Sequence, residues 1–329
     1  MKKIVVCGKY NPEAVDLLKS KCPEGFSLTF MPKQFPQEDF VREVSDADYL
    51  FVRGATPVDD DVLSHAKQLK LIMKWGVGFD QYNMEQIGSY NIPFQNNAGV
   101  NAVQVSELAL TLTLALYRYL PVVIDKNRAG ISCKEEYLPL CHTIHDKLVG
   151  IVGIGNIGRR VAKLMQGFGA TVQYYDAFRL SPEKEAELGV QYVSLDELCR
   201  TSDIITLHVP LMEGTVHLID EKCFSLMKRS AVLINTARGG VVDTKALIAA
   251  LQEGRLAGAA LDVVEAEYEA NAPDNPLFQM ENVIMTPHIG ASTKEVTELQ
   301  VNMFYDWTLR VDRGEITDKR IFVNGKYLK

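Results

Sequence analysis

Leu148-Val149-Gly150-Ile151-Val152-Gly153-Ile154-Gly155-Asn156-Ile157-Gly158-Arg159-Arg160-Val161-Ala162-Lys163-Leu164 is the stretch on which the fold turns. Its first five residues form an apolar run of strand length and its last six open a helical pattern. Gly-x-Gly-x-x-Gly therefore falls on a strand-to-helix turn. Each glycine has its own task there: Gly153 permits the tight turn, Gly155 lets a pyrophosphate approach the backbone, and Gly158 lets helix and strand pack closely. The free N–H groups and the dipole at the helix start favour negative charge. Tyr174-Tyr175-Asp176 ends the next predicted strand roughly 20 residues on, where an acid hydrogen-bonds the adenosine ribose hydroxyls. That acid repels a 2′-phosphate, so the cofactor expected is NAD, with Arg179 as a nearby opposing charge.

Strands and helices alternate on both sides of this turn. Upstream, Ile4 to Cys7, Phe26 to Met31, Tyr49 to Val52, Leu69 to Trp75 and Ile92 to Phe94 read as strands, separated by helical patterns such as Glu13 to Ser20 and Asp59 to Ala66. Downstream, six strands are predicted: Leu148 to Val152, Thr171 to Tyr175, Ile204 to Leu207, Val232 to Asn235, Gly258 to Leu261 and Val283 to Met285. Strands alternating with helices imply βαβ units and a parallel sheet. Val103 to Leu120 is long and mostly apolar, but Glu107, Arg118 and several Thr or Tyr make it a buried interdomain helix, not a membrane span. Val296 to Val311 reads as a helix that returns to the first domain, and the tail at Gly325-Lys326 reads as frayed.

Bulk properties bound the function. A chain of 329 residues is too long for one comfortable core and predicts two domains. With 47% hydrophobic and 23% charged residues the composition is that of an ordinary globular protein. The net charge of −7 argues against general nucleic-acid binding and requires local cations to hold any anionic substrate. Met1-Lys2-Lys3 runs straight into a strand, too short for a signal-peptide core. The six cysteines, 7, 22, 133, 141, 199 and 223, follow no paired framework. A reducing cytoplasm is the expected location. Cys133, Cys141, His142 and His145 match no standard zinc spacing, so no metal site is expected.

Three strand ends carry chemistry. Arg238 follows the strand ending at Asn235; its planar fork suits a carboxylate, and Gly239-Gly240 beside it suggest crowding by a ligand. Asp262 ends the strand Gly258 to Leu261 and is either a nicotinamide contact or a turn-capping acid. His288 lies between Pro287 and Ile289 at a further strand end. Glu267 is the leading acid candidate to accompany it, with Glu265 and Glu269 close enough to compete. A cation, an acid and an imidazole are what hydride exchange at a 2-hydroxy acid requires.

With those residues in place, the chain resembles the D-isomer-specific 2-hydroxyacid dehydrogenase family over almost its whole length. The matching stretches are the glycine loop, Leu207-His208-Val209-Pro210-Leu211, Asn235 to Asp243, Ala260-Leu261-Asp262-Val263 and Pro287 to Thr293. Gly290-Ala291-Ser292-Thr293-Lys294-Glu295 and Val52-Arg53-Gly54-Ala55-Thr56 look most like the phosphoglycerate dehydrogenase branch, in a short form without the regulatory domain of its long members. The resemblance implies an α/β fold of two doubly wound parallel-sheet domains. A Rossmann NAD-binding domain, residues 99–291, is inserted into a flavodoxin-like substrate-binding domain, residues 1–98 and 292–329. It also implies an active site in the cleft between them and a homodimer formed through the NAD-binding domain, to which the helix Val103 to Leu120 contributes.

Carried onto this chain, the family's catalytic Arg, Glu and His fall on Arg238, Glu267 and His288. Its cofactor contacts fall on Gly153, Gly155, Asn156, Ile157, Gly158, Asp176, Val209, Thr236, Ala237, Asp262 and Gly290, with Arg238 and His288 beside them. Its substrate-carboxylate loop falls on Gly76-Val77-Gly78, with Asn101 nearby. The implied reaction is reversible hydride transfer between nicotinamide and C2 of a D-2-hydroxy acid. Arg238 and the loop amides hold the acid, His288 moves the proton, and Glu267 favours the imidazolium. Arg53 and Lys74 would bind a distal phosphate, giving 3-phosphoglycerate and 3-phosphohydroxypyruvate as the first substrate pair; a glyoxylate, hydroxypyruvate or other small 2-oxo acid reductase is the alternative. Two departures bear on this: Tyr268 replaces the usual Pro after Glu267, and Lys74-Trp75 stand where the phosphoglycerate branch tends to have Arg and a small residue. A third reading, from another class, is an NAD(H)-sensing interaction protein of corepressor type.

Overall fold

The computed structural model describes residues 1–32, 34–54, 56–265 and 275–329. They form two compact units, Met1–Asn101 with Thr293–Lys329, and Ala102–Ser292.

The first unit begins with β1 (Lys2–Cys7), α1 (Pro12–Ser20), β2 (Phe26–Phe30), α2 (Gln37–Val44), β3 (Tyr49–Val52), α3 (Asp60–His65), β4 (Leu71–Lys74), α4 (Met84–Ser89) and β5 (Phe94–Asn96). α1, α3 and α4 start where a short polar side chain caps them: Asn11 accepts from the Ala14 N–H, Asp59 from Val62 and Asn83 from Gln86. All five strands are parallel, in the order β2-β1-β3-β4-β5, a doubly wound arrangement of flavodoxin type. Parallel strands are covered on both faces, and β1 shows it: Ile4 and Val6 join one core with Leu18 and Phe51, while Val5 and Cys7 join another with Phe40 and Phe94.

The second unit runs through α5 (Ala102–Tyr117), α6 (Leu120–Arg128), α7 (Lys134–Tyr137), β6 (Leu148–Val152), α8 (Asn156–Gly167), β7 (Thr171–Tyr175), α9 (Pro182–Leu188), β8 (Val190–Tyr192), α10 (Leu195–Thr201), β9 (Ile204–Leu207), α11 (Glu221–Leu226), β10 (Val232–Asn235), α12 (Thr244–Gln252), β11 (Gly258–Leu261) and β12 (Val283–Met285). Its sheet is parallel, in the order β12-β11-β10-β9-β6-β7-β8. The order reverses between β6 and β9, which makes that edge the place where an open α/β sheet binds its ligand. The sheet has seven strands, not the six expected: β8 is three residues long with an exposed Gln191 at its centre, so it carries no apolar run. The predicted helix to Leu120 stops at Tyr117. Tyr119 takes a left-handed φ of 49°, and Pro121 lies at the start of α6, which leaves at 60° to α5. Ala109, Leu112 and Leu116 of α5 pack with Val149 and Ile151 of β6 and Val161 and Met165 of α8. Among the described residues no single helix is long and apolar enough to cross a membrane.

The chain then re-enters the first unit as α13 (Lys294–Asp312). Phe304, fully buried, meets the Phe51 ring at 4.4 Å and Trp75 at 5.4 Å between centroids. The tail is not frayed. Asn324, fully buried, accepts from the Phe94 N–H at 2.8 Å and donates to the Ile92 carbonyl at 2.9 Å, so one amide seals the edge of β5. Two hydrogen bonds to main chain outweigh the polarity that made the segment read as loose.

Candidate active site

The glycine turn sits at the sheet's reversal point. An added Cβ on Gly153 would lie 2.8 Å from the carbonyl carbon and oxygen of His208, and one on Gly158 would lie 2.1 Å from the Gly153 carbonyl. Both glycines are thus demanded by close backbone approach, and Gly153 also by its φ of 96°. Gly155 differs: its φ is −74° and an added Cβ meets no protein atom within 4 Å. It caps α8 without a side-chain hydrogen bond, leaving the helix N–H groups directed outward. Asp176 closes the turn from β7. Its Oδ2 accepts from the Ile154 N–H at 2.8 Å and its Oδ1 from Phe178 at 2.9 Å. Arg179 does not oppose that charge. Its guanidinium is held bidentately by Glu185 at 2.9 and 3.1 Å and lies over the Tyr192 ring.

At the carboxyl ends of β9 and β10, the paired residues Leu207 and Asn235 are followed by His208 and Thr236. The Thr236 hydroxyl and His208 Nδ1 are buried and have no hydrogen-bond partner among the described residues. Nε2 of His208 bonds the Thr206 hydroxyl at 2.9 Å, and burial pushes the imidazole pKa down to about 3, so the ring is neutral. Val209 lies against Gly153. Asn235 shapes the next turn, accepting from the Ala237 N–H and donating to the Arg238 carbonyl, both at 3.0 Å. Arg238 itself is half-buried, with Nη1 on the Ala237 carbonyl at 2.7 Å. The crowding inferred from Gly239-Gly240 has a different source from a ligand. A Cβ on Gly239 would lie 2.0 Å from the Val264 carbonyl oxygen, and one on Gly240 3.3 Å from the Leu211 side chain.

Asp262, 2% exposed, follows β11 and caps the turn beyond it. Oδ1 accepts from the Thr286 hydroxyl at 2.6 Å and the Ile289 N–H at 2.8 Å, and Oδ2 accepts from Gly290 at 2.8 Å. The loop so held carries His288, which is exposed, left-handed at φ 54°, and tied to the Asp262 carbonyl through its own N–H at 3.0 Å. A non-glycine residue held at positive φ is a mark of functional loops. Arg238, Asp262 and His288 thus stand at the ends of β10, β11 and β12, three neighbouring strands.

Glu267 and Glu269 lie outside the described residues. Glu265 is committed elsewhere: Oε1 bonds His217 Nε2 at 2.6 Å and Oε2 accepts from the Thr244 N–H at 2.9 Å. Partial burial would raise its carboxyl, but these bonds outweigh it and hold Glu265 below the usual range, while the Glu265 bond raises His217.

In the first unit, Gly76 (φ 95°), Val77 and Gly78 form a half-buried turn after β4. Asn97 N–H donates to the Gly76 carbonyl at 3.1 Å and Asn96 Nδ2 to the Val77 carbonyl at 2.5 Å, which turns both carbonyls into the protein. Asn101 has a buried, unpartnered Oδ1. Arg53, following β3, is half-buried with its guanidinium 5.5 Å from the Tyr10 ring centroid and 5.4 Å from Trp75. Lys74 is 6% exposed and its ammonium donates to the Trp75 carbonyl at 2.8 Å.

Residues 110–290 match the family model described as D-isomer specific 2-hydroxyacid dehydrogenase, NAD binding domain. The chain belongs to the D-isomer specific 2-hydroxyacid dehydrogenase family. Members of this family are NAD-dependent oxidoreductases of D-2-hydroxy acids, and this chain is one of them. It is 39% identical to a glyoxylate reductase of Thermococcus litoralis over 290 residues, 87% of this chain and 86% of that one. It is 35% identical to a D-3-phosphoglycerate dehydrogenase of Methanocaldococcus jannaschii over 97% of this chain but only 59% of the relative's length. Among solved structures, the D-lactate dehydrogenase of Aquifex aeolicus, complexed with NAD and lactic acid, aligns with a TM-score of 0.80 at 30% identity, covering 95% of this chain and 96% of that one.

The dehydrogenase's own residues fit NAD. Gly155 needs to be glycine neither for its backbone angle nor for internal packing, which leaves the approach of a ligand as the reason. The orphaned Thr236 hydroxyl and His208 Nδ1 at the neighbouring strand ends are polar groups that a bound dinucleotide can satisfy. In the sequence His208 stands out only as part of the Leu207–Leu211 motif; its position directly after the apolar strand Ile204–Leu207 is the signal that marks it.

Proposed function

We propose that the chain reduces a small, unphosphorylated 2-oxo acid of the glyoxylate or hydroxypyruvate type with NADH. The observation that carries the chemistry is the alignment of Arg238, Asp262 and His288 at the ends of three adjacent strands. Asn156, Ile157, Asp176, Val209, Thr236 and Ala237 hold the cofactor, which when bound supplies the hydride to substrate C2. Arg238 pairs with the substrate carboxylate through its planar fork. His288 gives its proton to the C2 oxygen in reduction and takes it back in oxidation. Glu267 is the acid that keeps His288 protonated, a role for which Glu265 is spent on His217 and Thr244. Asp262 acts through the His288 loop.

The substrate preference rests on the two cations expected to hold a phosphate. Lys74 is buried with its ammonium on a main-chain carbonyl, and the Arg53 guanidinium lies against the edge-to-face pair of Tyr10 and Trp75. The glyoxylate reductase relative supports the same choice. A second reading, 3-phosphohydroxypyruvate, keeps its support from the phosphoglycerate dehydrogenase relative and from the half-buried Arg53.

Leu120, Ile124, Ile131, Leu138 and Leu140 are large apolar side chains exposed within one short stretch, which supports a homodimer formed by the NAD-binding unit. All six cysteines are free, in keeping with a reducing compartment.

The test is NADH consumption with glyoxylate, hydroxypyruvate, pyruvate, 2-oxoglutarate and 3-phosphohydroxypyruvate, each repeated with NADPH. Preference for glyoxylate or hydroxypyruvate with NADH is expected. Preference for the phosphorylated acid transfers the assignment to the second reading. Silence on every acid despite tight NADH binding would overturn both.

A further inference from the structure

One face of the second unit gathers positive charge that the reaction does not use. Asn156, Arg159, Arg160 and Lys163 lie three and four residues apart along α8 and so share one side of the helix. Lys184 and Glu187 of α9 face them across a cleft of about 400 Å³. Four cations and one carboxylate therefore line a single depression in a chain whose net charge is −7. Elsewhere in this protein Lys2, Lys3, Lys21, Lys222 and Lys228 each sit on a carboxylate. Arg160, Lys163 and Lys184 have no such partner among the described residues. Of the other two acids on α9, Glu185 is occupied by Arg179 and Tyr174, and Glu183 bonds its own main chain and the Ser181 side chain at the helix start. Arg159 is anchored by Nε on the Ile154 carbonyl at 3.0 Å, which leaves its terminal nitrogens at the cleft.

We propose that this cleft binds a polyphosphate anion: inorganic pyrophosphate, tripolyphosphate or the phosphate chain of a free nucleotide. Like charges crowded together repel, and a multiply charged anion relieves that repulsion while accepting several charge-assisted hydrogen bonds. From Asn156 to Lys163 the helix rises about 10 Å, the span of two or three linked phosphates and not of one. Asn156 lines both the cleft and the turn proposed to hold the NAD pyrophosphate, so the anion and the dinucleotide are coupled through that residue. Only this coupling rests on the cofactor reading; the anion site itself does not.

Calorimetric titration of the full chain with pyrophosphate, with and without saturating NADH, tests the site. Binding that persists with NADH present, weakens as salt rises, and falls at least about tenfold in the Arg160→Ala/Lys163→Ala double variant and again in Lys184→Ala is expected. The double variant keeps its melting temperature and its KM for NADH. Lys163→Arg retains most of the affinity. ATP and tripolyphosphate compared side by side separate a nucleotide from a bare phosphate chain, and binding of either at this cleft supports the site. No pyrophosphate binding at millimolar concentration overturns the proposal. So does binding that NADH abolishes and the double variant leaves unchanged, because that anion occupies the cofactor's own phosphate position.

Discussion

Gly290 donates its main-chain N–H to Asp262 Oδ2 at 2.8 Å, and a Cβ added to Gly290 would stand 3.0 Å from that same oxygen. The other Asp262 oxygen holds Thr286 and Ile289. One buried carboxylate therefore grips the chain on both sides of His288. The closeness of the grip accounts for glycine at 290.

Asp262→Ala leaves the buried Gly290 N–H and its neighbours Thr286 and Ile289 without their acceptor. Hydrogen bonds to a charged group are worth about 1.5–3 kcal/mol each, so the loss of three predicts a fall of about 4 kcal/mol or more in urea unfolding. Because the loop relaxes, turnover falls with it, by about tenfold or more. Full activity in a destabilised variant would separate the loop from the chemistry.

His288→Asn is the cleanest test of the proton step. Asn tolerates the left-handed backbone at φ 54°, so the loop keeps its shape while the titrating group is lost. Turnover is expected to drop by about a hundredfold or more with little change in melting temperature. An unaffected rate would remove His288 from the mechanism.

The proposed cofactor site assigns selectivity to Asp176 as long as Glu185 keeps Arg179. Juxtaposed like charges cost several kcal/mol, so Asp176→Ser is expected to narrow the preference for NADH over NADPH by about tenfold or more. Adding Glu185→Gln preserves the acceptor for Tyr174, releases Arg179 and narrows it further. Ratios of kcat/KM for the two cofactors read both effects, and an unchanged ratio in the double variant would place selectivity elsewhere.

The His217–Glu265 pair gives stability a pH signature. His217 is raised in the folded protein, so its contribution is complete below its unfolded value of about 6.5 and disappears as pH rises through the higher folded value. Glu265 is lowered, so its contribution is present above about 4.3 and disappears as pH falls through the lower folded value. Glu265→Gln should therefore cost most between those limits and less both at more acid and at more alkaline pH. Both side chains are partly exposed, and solvent screening limits the effect to about 1 kcal/mol. A difference that stays flat from acid to alkaline pH would contradict the pairing.

Phe304→Ala removes the ring that joins α13 to Phe51 and Trp75. A buried aromatic truncated to alanine costs about 3–5 kcal/mol, and Phe304→Leu should cost markedly less. Chemical denaturation of the two variants compares them directly.

The glycine turn, the alternating strands and the strand-end positions of Arg238, Asp262 and His288 were legible from residue order. Each is a local matter: periodicity records which side of an element is buried, and parallel α/β connection brings successive strand ends to one edge. What lay beyond local reading depended on neighbours distant in the chain. β8 is short and polar at its centre, and it exists because β7 offers it an edge to pair with. The tail is held by Asn324 on a strand more than two hundred residues earlier. Gly239 is glycine because the backbone at Val264 crosses it, and Glu265 drops out as a partner for His288 because His217 reaches it first. The Lys74 ammonium is buried and donates to the Trp75 carbonyl, a contact that packing sets and residue order does not show. A sequence names the groups that can make a hydrogen bond or an ion pair; which of them meet, and which are left over for a ligand, is set when distant segments pack and burial makes every unpaired polar group costly.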